Sequence, residues 1–380
     1  KQLAIGYEKD FLPSFVLPGD TSDKLIIAQG SCRKMHGHGE DALAHLDEAI
    51  KTDRSDPAKR IQQLFLTGDQ IYADEVPAIL LQYAGNTGGI SLIGPDEKVR
   101  IQKSATGTGS NTNPVERVSG GISTLPVLLR QDLVNTFAGF TSSAASSHLI
   151  TFEEYCATYL NYWNLRAWND SFYEKMKTLA ADPTKLETVA SSILDSTDVA
   201  DDPTILTVIE DALTREAKDF VFSDDLKATL ADAAKKEKWV KELKEDIKDE
   251  LRDVVKFFET MPNVSRVLAN VPTYMIFDDH EITDDWNITK RWRNQVFTKP
   301  FGRDIIRNAM MAYAIFQDWG NSPANYEAGG TKSALLDNIV AYGAAVSTDQ
   351  APTDSLIDSL EGQLVLGGNT SLNWHYTVPS

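Results

Sequence analysis

Cysteine is almost absent. The 380 residues contain two, Cys32 and Cys156, which excludes a disulfide scaffold as the organising principle of the fold. Long apolar runs are missing as well. None approaches the roughly 20 residues that span a bilayer, and no basic-then-apolar signal segment opens the chain. Positive charge is in deficit: 37 Lys and Arg face 55 Asp and Glu, for a net charge of −18. Such a surface repels polyanions, which argues against nucleic acid or an anionic membrane as partner. A small phosphate ester is not excluded, because bound cations reverse the sign of a local site. The chain begins at Lys1 rather than Met, which fits removal of a leader or upstream segment and leaves the compartment open.

What is present is acid placed behind strands. The stretch Phe277-Asp278-Asp279-His280-Glu281-Ile282-Thr283-Asp284-Asp285-Trp286 follows the apolar run Tyr274 to Phe277. Two further short apolar runs end in polar chemistry. Leu25 to Ala28 leads into Gln29-Gly30-Ser31-Cys32-Arg33, and Leu64 to Leu66 leads into Thr67-Gly68-Asp69-Gln70-Ile71-Tyr72. Short apolar runs bounded by turn residues fit buried strands of an α/β sheet. In such sheets ligands gather beyond the carboxyl ends of the strands.

Between the first two runs, Ala42, Leu43, Leu46 and Ile50 have helical spacing, giving a strand-helix-strand crossover. Residues 85–126 are rich in Gly, Ser, Thr and Asn and read as a long lid or partly disordered loop. From about 151 to 261 the pattern is helical. Val240, Leu243, Ile247, Leu251, Val254 and Phe258 form one apolar stripe, and Pro262 and Pro272 mark the return to strand. The run Lys235-Lys236-Glu237-Lys238 reads as a solvated helix face rather than a binding patch. Arg303 to Trp319 predicts another amphipathic helix, and Trp374 to Val378 one more strand. These pieces make one α/β domain over 1–380, with a first core part at 1–150, a helical insertion at 151–262 and a second core part at 263–380.

Asp69 follows a glycine that lets the backbone turn sharply, although Gly-Asp is also an ordinary helix N-cap. With a helix starting at Gln70, Asp69 and Tyr72 share a face, and carboxylate and phenolate reach one ion. A hydrogen-bonded core tyrosine is the blander alternative. Cys32 ends a strand beside Arg33 and Lys34, charges that favour thiolate, whereas Cys156 reads as structural. His36 and His38 form a pair suited to surface or helix-start roles. Asp279 is the candidate oxygen ligand of the third motif and His280 the candidate proton donor. Glu281, Asp284 and Asp285 are candidates for orienting groups.

The motifs Gly30-Ser31-Cys32-Arg33, Gly68-Asp69-Gln70-Ile71-Tyr72-Ala73-Asp74 and Phe277-Asp278-Asp279-His280-Glu281 together resemble the PhoD-like (alkaline phosphatase D) family of calcineurin-like metallophosphoesterases. They occur in that family's order. Leu268 to Tyr274 and Phe316-Gln317-Asp318-Trp319-Gly320-Asn321 are similar to it as well, so the resemblance covers about 24–84 and 262–322. It implies a four-layer α/β/β/α sandwich. It also implies ferric iron held by Cys32, Asp69 and Tyr72, with calcium or another divalent metal sharing Asp69 and reaching Asp279. Three anionic ligands suit trivalent iron, and oxygen ligands suit calcium. The implied reaction is hydrolysis of a small phosphomonoester or phosphodiester. A hydroxide between the metals attacks phosphorus and His280 protonates the leaving group. Arg33 reads equally as a residue that holds a phosphate oxygen and as a surface residue.

The chain departs from the family in one respect. The resemblance implies metal-binding histidines downstream, yet after His280 the chain has only His375, outside such a motif. We therefore expect an incomplete unit, lacking its C-terminal part and completed by a downstream segment or a second chain. The alternative is a catalytically incomplete, metal-binding structural or interaction protein on the same scaffold.

Overall fold

The computed structural model describes residues 5–9, 11–17, 24–81, 97–102, 115–119, 130–168, 170–189, 228–229, 231–348 and 350–366. In chain order its longer elements are β1 (Ile27–Gly30), α1 (Ala42–Thr52), β2 (Gln63–Leu66), β3 (Lys98–Gln102), β4 (Val115–Ser119), α2 (Phe152–Trp163), α3 (Asp170–Ala181), α4 (Ala233–Asn270), β5 (Thr273–Met275), α5 (Lys290–Phe297), α6 (Pro300–Tyr313), α7 (Ser333–Ser347) and α8 (Asp354–Leu364). The architecture is mixed α/β, mostly helical, around a small parallel sheet.

The three apolar runs form strands as their patterns predict, but only β2 is largely buried; β1 alternates between exposed and half-buried residues and β5 is half-buried throughout. β1, β2 and β5 are parallel neighbours in the order β1-β2-β5. Gly30 pairs with Leu66, and Leu66 with Met275. The register therefore ends the three strands level, and all three loops leave the sheet along one edge. The crossover between β1 and β2 is α1, whose N-cap Asp41 accepts a hydrogen bond from the Leu43 N–H.

One sheet face is covered. Leu64 and Leu66 pack with Leu43 and Ile50 of α1 and with Val264 and Val267 of α4. On the other face Phe65 stacks on Tyr274, while Ile27 and Ile276 remain 45% and 40% exposed. Among the described residues no second sheet layer covers that face, and the predicted strand at 374–378 lies outside them.

α4 differs from the sequence expectation at its end. Ile247, Leu251 and Val254 are buried as the stripe predicts, but the helix runs through Pro262 to Asn270. Proline removes one backbone hydrogen bond and costs about 3 kcal/mol or more in a helix interior. Burial of Phe257, Met261, Val264 and Val267 on either side offsets that cost. The helical part of the chain thus leads straight into β5. Within the Gly-rich stretch the described residues form the antiparallel pair β3–β4 rather than a plain loop. Arg100 of β3 is tied to Asp304 of α6 and to Glu361 of α8. The second amphipathic helix starts at Pro300 and continues through a π-turn, Ala314–Asp318. No helix among the described residues is long and apolar enough to cross a membrane.

Candidate metal centre

The loops behind β1, β2 and β5 are stitched to one another by backbone groups. Cys32 N–H donates to the Gly68 carbonyl at 3.0 Å and Arg33 N–H to the Asp69 carbonyl at 2.9 Å. The Ala73 N–H donates to the His280 carbonyl at 2.8 Å. Glu281 joins the second and third loops more tightly still. Its buried carboxylate accepts from the N–H groups of Asp69, Gln70 and Asp278 at 3.1, 2.6 and 2.8 Å, and from the Gln317 amide at 3.1 Å. Burial pushes this carboxyl up to about 8 against the pull of those donors.

The close approach has a backbone signature. Cys32 and Asp69 adopt φ of 61° and 54°, and Asp285 and Asn287 adopt 64° and 57°. Each such non-glycine residue stores strain of about 1–3 kcal/mol, which clusters at functional sites. Gly68 has φ 132°, and a Cβ there would meet the Asp278 Cβ at 2.6 Å. Glycine is required at this position on both counts.

The stitched loops bring the side chains together. The Cys32 thiol donates to Asp69 Oδ2 at 3.2 Å. The Tyr72 ring lies over the His280 ring with centroids 4.4 Å apart. Asp69, Asp279 and His280 each present a ligand atom within 4.8 Å of the other two. Asp279 is held by the Asp285 N–H, which donates to its Oδ2 at 3.0 Å. His280 Nδ1 lies 3.0 Å from Asp74 Oδ1. That bond fixes the ring and leaves Nε2, which stands 4.0 Å from Asp284 Oδ1. Asp74 is fixed in turn by the Asp284 N–H and the Ser142 hydroxyl.

The electrostatics describe a cluster short of positive charge. Burial raises Asp69, helped by Asp278 and Asp279. Burial likewise raises Tyr72, with Asp69 and Cys32 adding to it. At Cys32 the Ser31 hydroxyl pulls the thiol down, but burial and Asp69 outweigh it and the thiol is raised. Burial alone would lower His280, yet Asp74, Asp69 and Asp279 lift it to about 9. Carboxylate, phenol and thiol are each pressed toward their protonated forms, which is the situation a bound cation reverses. Asp69 Oδ1 is buried without a hydrogen-bond partner among the described residues, although buried carboxylate oxygens are ordinarily satisfied. These residues fit a metal. Asp69, Asp279 and His280 are the described residues whose ligand atoms could share one ion, and Cys32 stands beside Asp69 as a potential thiolate donor. Asp69 and Asp279 offer oxygen to calcium or another divalent ion.

The structure thus gathers Cys32, Asp69, Tyr72, Asp279 and His280. It does not gather Arg33. That guanidinium is buried, bonded to Asp41 at 2.8 Å and to the Tyr162 carbonyl at 2.5 Å, and it sits between the rings of Trp163 and Phe257. The expectation that Arg33 holds a phosphate oxygen is corrected on that ground. The helix expected from Gln70 is also absent, since residues 70–77 form an irregular buried segment. Tyr72 reaches the site through that segment's fold rather than through helical spacing. Cys156 is buried. His38 is bonded to Asp253 at the surface, whereas the His36 side chain is nearly buried, its Nε2 3.6 Å from Glu75. Sequence reasoning missed Asp74. It lay inside the quoted second motif, but nothing in spacing pairs it with a histidine 206 positions away.

Comparison with family models, with curated proteins and with solved structures found no match to this chain.

Proposed function

We propose that the chain carries the metal-holding and proton-donating part of a phosphoester hydrolase of the PhoD-like type. The observation that carries this reading is the convergence of Cys32, Asp69, Tyr72, Asp279 and His280 from three strand ends around the unpartnered Asp69 Oδ1. Iron with calcium or another divalent ion, bound there, would supply positive charge to phosphoryl oxygens and an activated water. The protein's own groups do the rest. Asp74 holds His280 through Nδ1, Tyr72 supports one face of the ring, and Nε2 carries the proton that passes to the leaving oxygen. Glu281 and Gly68 keep the two acid-bearing loops in register. The face of the β1-β2-β5 sheet that has no covering layer among the described residues, with Ile27 and Ile276 exposed, supports the finer reading of a four-layer sandwich, because an apolar sheet face calls for a covering layer.

The test is hydrolysis of p-nitrophenyl phosphate and bis-p-nitrophenyl phosphate by metal-loaded protein, with and without chelator. Turnover that chelation abolishes supports the reading. Stoichiometric metal without turnover of either ester would overturn it in favour of a metal-stabilised structural or interaction protein.

A further inference from the structure

With Arg33 outside the site, the described groups gathered there include no lysine or arginine for the phosphoryl oxygens. Lys34 is placed to supply that charge. Its ammonium lies over the Tyr72 ring, 5.4 Å from the centroid, and that ring rests on His280. Its ion-pair partner is Glu75, the residue after Asp74. Two successive residues of one loop therefore hold the proposed proton donor and this cation.

The pair differs in kind from the Arg33–Asp41 pair. Arg33 and Asp41 are 8% and 7% exposed, whereas Lys34 and Glu75 are 27% and 36% exposed. Part-exposed lysine pairs are weak and exchange partners readily, and the lysine stem is flexible. Glu75 also has His36 Nε2 at 3.6 Å, so it keeps a polar neighbour when the ammonium turns away. The acids around the centre, Asp69, Asp278 and Asp279, repel an anionic ester. An ammonium beside Tyr72 that exchanges its partner offsets that repulsion.

We propose that Lys34 binds the non-bridging oxygens of the substrate phosphoryl group, exchanging Glu75 for the ester. The proposal rests on the phosphoester reading and deepens it. A point charge favours a dianion over a monoanion, so Lys34 acts more strongly on monoesters than on diesters.

The test uses metal-loaded protein with Lys34→Ala, Lys34→Arg and Glu75→Gln. Inorganic phosphate binding is followed by calorimetry, and KM and kcat are measured for p-nitrophenyl phosphate and its bis ester. Lys34→Ala is expected to weaken phosphate binding and raise the monoester KM by about tenfold or more, the size of a charge-assisted hydrogen bond. The diester KM moves less, and Lys34→Arg recovers part of the loss. Glu75→Gln frees the ammonium and tightens phosphate. If Glu75→Gln weakens phosphate as much as Lys34→Ala does, the pair is structural and the proposal falls. It falls equally if Lys34→Ala leaves phosphate affinity and KM unchanged in an active protein, a result that spares the hydrolase reading. Wild-type protein that binds phosphate without turnover would sink the hydrolase reading, and the same titration would still decide Lys34. Wild-type protein that neither binds phosphate nor turns over ester overturns both.

Discussion

Glu281 accepts the backbone N–H of Gln70 at 2.6 Å across 211 residues of sequence. Through this bond and its companions, a carboxylate of the third strand-end loop holds the second loop in place. Glu281→Ala leaves the N–H groups of Asp69, Gln70 and Asp278 without this partner. Each unsatisfied buried donor costs about 1–3 kcal/mol, and relaxation recovers part of the sum, so a loss of about 3 kcal/mol is expected. Urea unfolding should show a lower midpoint at unchanged slope, together with weaker metal binding.

Gly68→Ala should act on the same join. The new Cβ meets Asp278 at 2.6 Å and is strained at φ 132°. The expected loss is about 1–3 kcal/mol. Thermal unfolding checks it, with Gly39→Ala as a control, because nothing lies within 4 Å of a Cβ at Gly39 although its φ is also positive. Gly68→Ala should cost more than that control.

His148 predicts how stability responds to acid. It is fully buried, bonded through Nδ1 to the Leu149 carbonyl, with Nε2 unpartnered among the described residues. Burial lowers its pKa from the ordinary 6.5 to about 4. Above pH 6.5 folded and unfolded forms are both neutral there. As pH falls toward 4 the unfolded chain takes up a proton that the folded protein refuses, so stability declines by about 3 kcal/mol over that window. His148→Gln should remove this component, seen as a shallower fall of unfolding free energy between pH 6.5 and 4.

The proton-donor role of His280 is read from leaving-group dependence. Asp74→Asn weakens the bond that fixes the ring, and His280→Asn removes the donor. Both should reduce hydrolysis of an alkyl phosphate by about 10²–10⁴-fold. p-Nitrophenyl phosphate, whose leaving phenolate needs little protonation, should lose much less. Equal losses on both substrates would argue for a structural role.

The parts of the site legible in the sequence are those written locally. Three short apolar runs followed by polar loops gave the strands and placed Cys32, Asp69 and Asp279 beyond them. The β1-α1-β2 crossover was legible because α1 has a clean apolar stripe. What sequence could not show was which polar group finds which partner. Arg33 faces the Asp41 N-cap instead of the cluster, and Asp74 holds a histidine far away in sequence. The passage of α4 through Pro262 is set by tertiary packing, which overrides the local cost of proline. The β3–β4 pair carries four β-branched apolar residues, Val99, Ile101, Val115 and Val118, but the Gly-, Ser- and Thr-rich residues between the two strands obscured the pattern.

The claim beneath all of this is that the cluster holds a metal through Asp69 and its neighbours. The most direct measurement is metal content by mass spectrometry after purification and dialysis, on wild type and on Cys32→Ala, Asp69→Asn, Tyr72→Phe and Asp279→Asn. Retained iron, with calcium or another divalent ion, that falls most in Asp69→Asn and partly in the other three is the predicted result. Wild-type protein free of metal after exposure to iron and calcium, or metal content indifferent to Asp69→Asn, would contradict it.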